Sequence, residues 1–103
     1  MPSKPLKVRW LKRALANLEA EAEYISRDSH AAAQRVVLAI ERAVQLLASH
    51  PAMGRPGRIE GTRELVVMRT PYIIPYRVRE DKVEVLRVFH TEVAAKSVRQ
   101  NEK

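Results

Sequence analysis

A chain of 103 residues, 46% hydrophobic and 30% charged, has room for one domain with one core, and neither resembles a disordered chain nor leaves space for a separate cofactor-binding unit. It has no cysteine, which excludes disulfides and thiolate chemistry, and His30, His50 and His90 are too far apart to suggest a local metal motif, so no metal or cofactor is expected. Nineteen basic against twelve acidic residues give a formal charge of +7, which invites a polyanionic partner: nucleic acid, a nucleoprotein machine or an acidic protein segment.

The charge is uneven along the chain. Lys4, Lys7, Arg9, Lys12 and Arg13 have no acidic residue among them, and Glu19, Glu21 and Glu23 follow. The three glutamates read as a solvated helix face. No long apolar run follows the basic start, and the longest one, residues 36–40, is far short of a membrane span. A soluble, cytoplasmic protein without a membrane partner is expected.

Residues 6–10 alternate weakly and read as a short first strand. Leu11, Leu15, Leu18, Ala22 and Ile25 then recur at helical spacing as one apolar stripe. Asp28-Ser29 offers an N-cap for a second helix, whose apolar face is Val36, Val37, Ile40, Val44 and Leu47. That helix should end at His50-Pro51, because a residue before proline avoids helical backbone; His50 is structural there. Residues 50–61 hold two prolines and three glycines and predict a loop without regular structure.

Three strand-like segments come next. Residues 63–68 contain the run Leu65-Val66-Val67-Met68. Residues 72–79 alternate strictly, with Tyr72, Ile74, Tyr76 and Val78 on one face, which makes the tyrosines packing residues rather than base-stacking ones. Residues 83–89 are rich in β-branched side chains and pair with the preceding strand across Glu80-Asp81. Pro75 cannot donate to a ladder, which predicts an edge or a bulge at that point. The order β-α-α-β-β-β implies an α+β fold, a helical hairpin on one face of a small antiparallel sheet whose other face stays partly open. One domain is expected over residues 1–92, and residues 93–103 form a basic tail, helical or frayed.

Four segments in order carry a resemblance to a known family. They are His50-Pro51-Ala52-Met53-Gly54-Arg55-Pro56-Gly57, Gly61-Thr62-Arg63-Glu64-Leu65, Thr70-Pro71-Tyr72-Ile73-Ile74-Pro75-Tyr76-Arg77-Val78 and the closing Val85-Leu86-Arg87-Val88-Phe89-His90. With the helical hairpin, they make the chain resemble the ParE branch of the RelE/ParE toxins over roughly residues 6–92. The resemblance implies the toxin of a type II toxin–antitoxin system of the plasmid-stabilisation type. Its partner would be a ParD-like antitoxin whose disordered C-terminal arm folds along the toxin.

Two activities share that scaffold. RelE-like members cut messenger RNA on the ribosome, and ParE-like members poison DNA gyrase. The nucleases use basic side chains on the open sheet face and a proton-transfer group near the C-terminus. At the matching positions this chain has Glu64, Val66 and Ile73, with Val93 at the C-terminal arginine position. A carboxylate and three apolar side chains cannot neutralise a phosphate. The leading expectation is therefore a gyrase inhibitor that acts by binding, with no direct sequence-specific contact to nucleic acid. The alternative is a ribosome-dependent mRNA endoribonuclease with His90 as its catalytic residue. Arg63, Arg77 and Arg87 lie on three strands. They either converge as a target- or antitoxin-binding patch or are solvated strand residues pairing with Glu64 and Glu84, and both readings stay open. A nucleic-acid-binding module, suggested by charge alone, is a third class.

Overall fold

Residues 4–92 are described by a computed structural model, in which strand β1 (Lys7–Trp10) leads into helices α1 (Lys12–Ser26) and α2 (His30–Leu46). Strands β2 (Arg55–Pro56), β3 (Arg63–Val67), β4 (Tyr72–Arg79), β5 (Lys82–Val85) and β6 (Phe89–His90) follow. The tail expected over residues 93–103, with Val93, lies outside the described residues. No helix among the described residues is long and apolar enough to cross a membrane.

Local signals place the helices. Ser29 caps α2 as its sequence predicts: its hydroxyl accepts from the Ala32 N–H at 3.1 Å. The helix gives way to a turn after Leu46, and the His50 N–H still donates to the Leu46 carbonyl at 3.0 Å before Pro51 takes over. Ile40, Val44 and Leu47 bury the α2 stripe against Leu65, Ile74 and Tyr76 of the sheet. The α1 stripe is rotated from its expected position. Ala14 and Leu18 face the core, whereas Leu15 is 44% exposed on the flank.

The sheet order is β1-β5-β4-β3-β2, with β6 paired to β4. It is mixed rather than antiparallel, because β1 runs parallel to β5, from Lys7 opposite Lys82 to Trp10 opposite Val85. The connection from β1 to this parallel neighbour runs through the helical hairpin and then β2, β3 and β4. The loop after α2 also departs from expectation, since Arg55 and Pro56 form a two-residue strand opposite Glu64 and Arg63.

The single strand expected over residues 83–89 is two pieces. Tyr76 and Ile73 are three residues apart on β4, while their partners Val85 and Phe89 are four apart, so the second side carries one extra residue. Pro75 sits at the break. Its carbonyl accepts from the Leu86 N–H at 2.9 Å, but its nitrogen has no hydrogen to return. Asn17 of α1 supplies the missing order: its Oδ1 accepts from the Val88 N–H at 3.2 Å and from Arg87 Nε at 2.8 Å.

Candidate functional site

Strand alternation gives the sheet two unlike faces. Val8, Trp10, Val83, Val85, Ile74 and Tyr76 look toward the helices, and all are buried or packed against the core. The other face carries Arg9, Glu84 and Arg77 in one register row, Glu64 beside Pro75, and Val66 opposite Ile73.

Two carboxylates lie buried on this open face. Arg77 Nε donates to Glu84 Oε1 at 2.7 Å, and Arg9 Nη1 lies 4.0 Å from the other oxygen. The Arg77 hydrogen bond holds the Glu84 carboxyl below its ordinary value, with the charges of Arg77, Arg79 and Arg9 adding to it against the cost of burial. Glu64 is held by Arg55 Nη2 at 3.2 Å and Arg58 Nε at 3.6 Å.

The three arginines singled out from sequence do not converge. Arg77 alone is on the open face. Arg63 follows the opposite parity, and its Nη1 donates to the carbonyls of Gly54 at 2.7 Å and Ala52 at 3.4 Å. Arg87 turns toward Asn17 of α1, with its guanidinium carbon 4.7 Å from the Phe89 ring centre. His90 pairs in register with Tyr72 on the helix side of the sheet, while Phe89 takes the open side. The His90 Nδ1 accepts from the Glu92 N–H at 3.2 Å, and its ring meets Tyr72 edge-on at 5.5 Å.

Several organising contacts escape sequence reasoning. Glu21, expected to be a solvated residue, accepts from the Tyr72 hydroxyl at 2.8 Å, and burial together with that carboxylate raises the Tyr72 pKa. Glu23 pairs with Arg27 at 3.9 Å. Tyr76 reaches through the core to clamp the loop after α2. Its hydroxyl donates to the Pro51 carbonyl at 2.8 Å and accepts from the Gly54 N–H at 2.9 Å. A Cβ on Gly54 would stand 2.7 Å from the Tyr76 ring and hydroxyl and 2.9 Å from the Glu64 carbonyl, so only glycine lets the backbone pass.

The clamped loop is one wall of an open groove of about 550 Å³. Ala39, Ala43 and Leu46 of α2 form the second wall, Leu65 to Met68 form its floor, and Arg42 and the paired Arg55 and Glu64 stand at its margin. Leu46, Met53, Val66 and Met68 remain 44–79% exposed there. β2 covers only Arg63 and Glu64, so among the described residues the outer edge of β3 beyond Glu64 has no partner strand. The groove combines an apolar floor, a strand edge and Arg42 at its margin, which can hold a segment that is apolar on one side and acidic on the other.

The family described as ParE toxin of type II toxin–antitoxin system, parDE, matches residues 8–94. This chain belongs to that family. Among relatives of the toxin, the putative toxin Y4kP of Sinorhizobium fredii is 54% identical over 84 residues, covering 82% of this chain and 86% of that protein. Toxin RelE2 of Caulobacter vibrioides is 42% identical over 83 residues, covering 81% and 92%. Two solved structures share the fold. The chromosomal ParDE toxin–antitoxin system of P. aeruginosa superposes with a TM-score of 0.75 at 27% identity, over 82% of this chain and 95% of that one. The RelBE2 toxin–antitoxin complex of Mycobacterium tuberculosis gives 0.60 at 26%, over 84% and 98%. The chain is thus a type II toxin of ParE/RelE type. Its relatives carry names from both branches, which leaves the choice of target to the chemistry of the site.

Proposed function

We propose that this ParE-family toxin inhibits DNA gyrase by binding, without chemistry of its own, and that an acidic arm of a ParD-like antitoxin silences it by lying in the groove. The carrying observation is the composition of the open face around Val66. An RNA-cleaving site must stabilise charge building on a phosphorane, which takes cations or strong donors aimed at it. Here Val66 and Ile73 are apolar, and Glu64 already engages Arg55 and Arg58. His90 lies on the other side of the sheet with its Nδ1 occupied. This reading puts the protein in the cytoplasm, where its replicon and gyrase are. Of the three arginines, Arg77 is the proposed contact residue; Arg63 and Arg87 serve the loop and the bulge.

The antitoxin half of the reading draws support from the ParDE and RelBE2 assemblies that share the fold. An amphipathic acidic segment that orders on binding would bury its apolar side on Leu46, Met53 and Val66 and meet Arg42. The second reading, a ribosome-dependent mRNA endoribonuclease, is favoured by the 42% identity to a toxin named RelE2.

The two separate cleanly in parallel assays. Purified toxin is incubated with gyrase and relaxed plasmid, and beside it with a translation extract whose messenger ends are mapped. Lost supercoiling or gyrase-dependent double-strand breaks, with intact messenger and with toxicity unchanged in His90→Ala, is the expected result. Codon-positioned cuts that fall by about 10²–10⁴ in rate in His90→Ala would replace it with the nuclease reading.

A further inference from the structure

The register of β1, β5 and β4 sorts the open face into rows. Lys7, Lys82 and Arg79 stand side by side in one row, and Arg9, Glu84 and Arg77 in the next on the same side. Strand geometry sets the columns about 4.8 Å apart and the rows about 6.6 Å apart. Five cations therefore share a rigid plate with one carboxylate. That carboxylate is buried and already engaged by Arg77 and Arg9. Glu80 and Asp81 are the other acids nearby, in the turn that joins β4 to β5 at one end of the plate. Among the described residues, neither Lys7 nor Lys82 has an ion-pair partner, and Arg79 reaches Glu84 only through its field. Like charges placed directly opposite across a ladder cost stability. A row of three of them is an arrangement that the fold alone does not reward.

The plate is as informative for what it lacks. Val8, Val83 and Val78, and Trp10, Val85 and Tyr76, make up the intervening rows and point to the helix side. No apolar or aromatic side chain stands in either cationic row. Protein interfaces centre on apolar or aromatic anchors, which the groove beside β3 offers and the plate does not. Membrane-surface sites need an apolar face to insert. Single-stranded nucleic acids are held by stacking on exposed rings. What is left for a flat array of charge is the phosphodiester backbone of a duplex, held by point contacts and without reading of the bases.

We propose that Lys7, Arg9, Arg77, Arg79 and Lys82 form a sequence-independent binding site for the backbone of a nucleic-acid duplex, separate from the groove. The site does not depend on which target the toxin inhibits. Three to four phosphate contacts give a slope of about −3 to −4 in log affinity against log salt, or roughly a 10²-fold loss between about 50 and 200 mM.

The test is fluorescence anisotropy of the purified full chain with labelled DNA duplexes of two unrelated sequences. An RNA duplex, a single strand and polyglutamate are the competing probes. The triple variant Lys7→Gln, Arg79→Gln, Lys82→Gln is compared with Arg27→Gln, Arg35→Gln, Arg69→Gln, which removes the same charge elsewhere; circular dichroism verifies that both fold. The site predicts equal affinity for the two DNA sequences, and a plate variant at least tenfold weaker with a salt slope shallower by 2–3, while the control variant keeps the wild-type slope. The DNA and RNA arms then show which duplex is held more tightly. The proposal is overturned by no duplex binding at low salt, by equal losses in the two variants, or by preference for the single strand or polyglutamate.

Discussion

Glu84 and Glu64 are both buried acids on the same face of the same sheet, each bridging arginines, yet they are held in unlike ways. Glu84 sits on an interior strand, and its partners Arg9 and Arg77 come from the strands on either side in a shared register row. Glu64 lies near the sheet's edge, where Arg55 comes from a two-residue strand and Arg58 from the loop beyond it. The first arrangement is as fixed as the ladder itself. The second depends on a loop that needs Tyr76, Arg63 and a glycine to hold it. One end of the open face is thus a rigid cationic plate, and the other borders a groove whose wall can be loosened by single substitutions.

The core beneath both regions carries the largest expected effect. Ile40→Ala removes a fully buried side chain and should lower stability by about 2–5 kcal/mol in urea unfolding. A loss under about 0.5 kcal/mol, the range of surface substitutions, would mean that α2 does not support the sheet in this way. Gly54→Ala acts on the groove side alone. Its Cβ meets Tyr76 at 2.7 Å and should cost about 1–3 kcal/mol. The same variant should weaken antitoxin binding in titration calorimetry and leave the salt slope of duplex binding untouched; coupled changes would dissolve the contrast between the two ends. Tyr76→Phe keeps the ring and removes the clamp, stranding the Gly54 N–H and the Pro51 carbonyl for about 1–2 kcal/mol by the same unfolding measurement.

The smallest effect belongs to the plate and is one of pH. Because the folded Glu84 carboxyl is held below its unfolded value, its contribution is complete above about pH 4.3. It is lost as pH falls through the lower folded value. Glu84→Gln should flatten that part of the acid stability curve relative to wild type. Parallel curves would mean that the Arg77 pairing does not stabilise the fold.

The sequence discloses features whose cause is local. Alternation marked β4 from end to end, Ser29 announced α2, and the missing N–H of Pro75 announced an edge or a bulge, of which the structure has the bulge. The same bulge split the run over residues 83–89, since a proline on one strand breaks the ladder of its neighbour and leaves no mark in the neighbour's own sequence. The parallel pairing of β1 was hidden because a two-residue period tells which side chains share a face but not which strand lies alongside. At the site, the resemblance pointed to Glu64, Val66 and Ile73, and the register puts all three on the open face. The separation of Arg63 from Arg77 was not legible, because it is fixed by the pairing register that sets Arg63 opposite Tyr76. The groove was invisible too, since its walls meet only when α2, the clamped loop and β3 are assembled.

The parallel pairing of β1 with β5 also has a consequence in time. Lys7 and Arg9 belong to the first strand, and Lys82, Arg79 and Arg77 to a hairpin near the other end of the domain. On a translating ribosome the helical hairpin can collapse early, because its contacts are near in sequence. β1 must wait for β5 to be made, and closing so long a loop is among the slow steps of folding. A nascent chain cut short before Lys82 would carry the charges of Lys7 and Arg9 on an unpaired strand and have no plate. Truncated synthesis therefore leaves unbuilt the surface on which the intact toxin would hold a duplex.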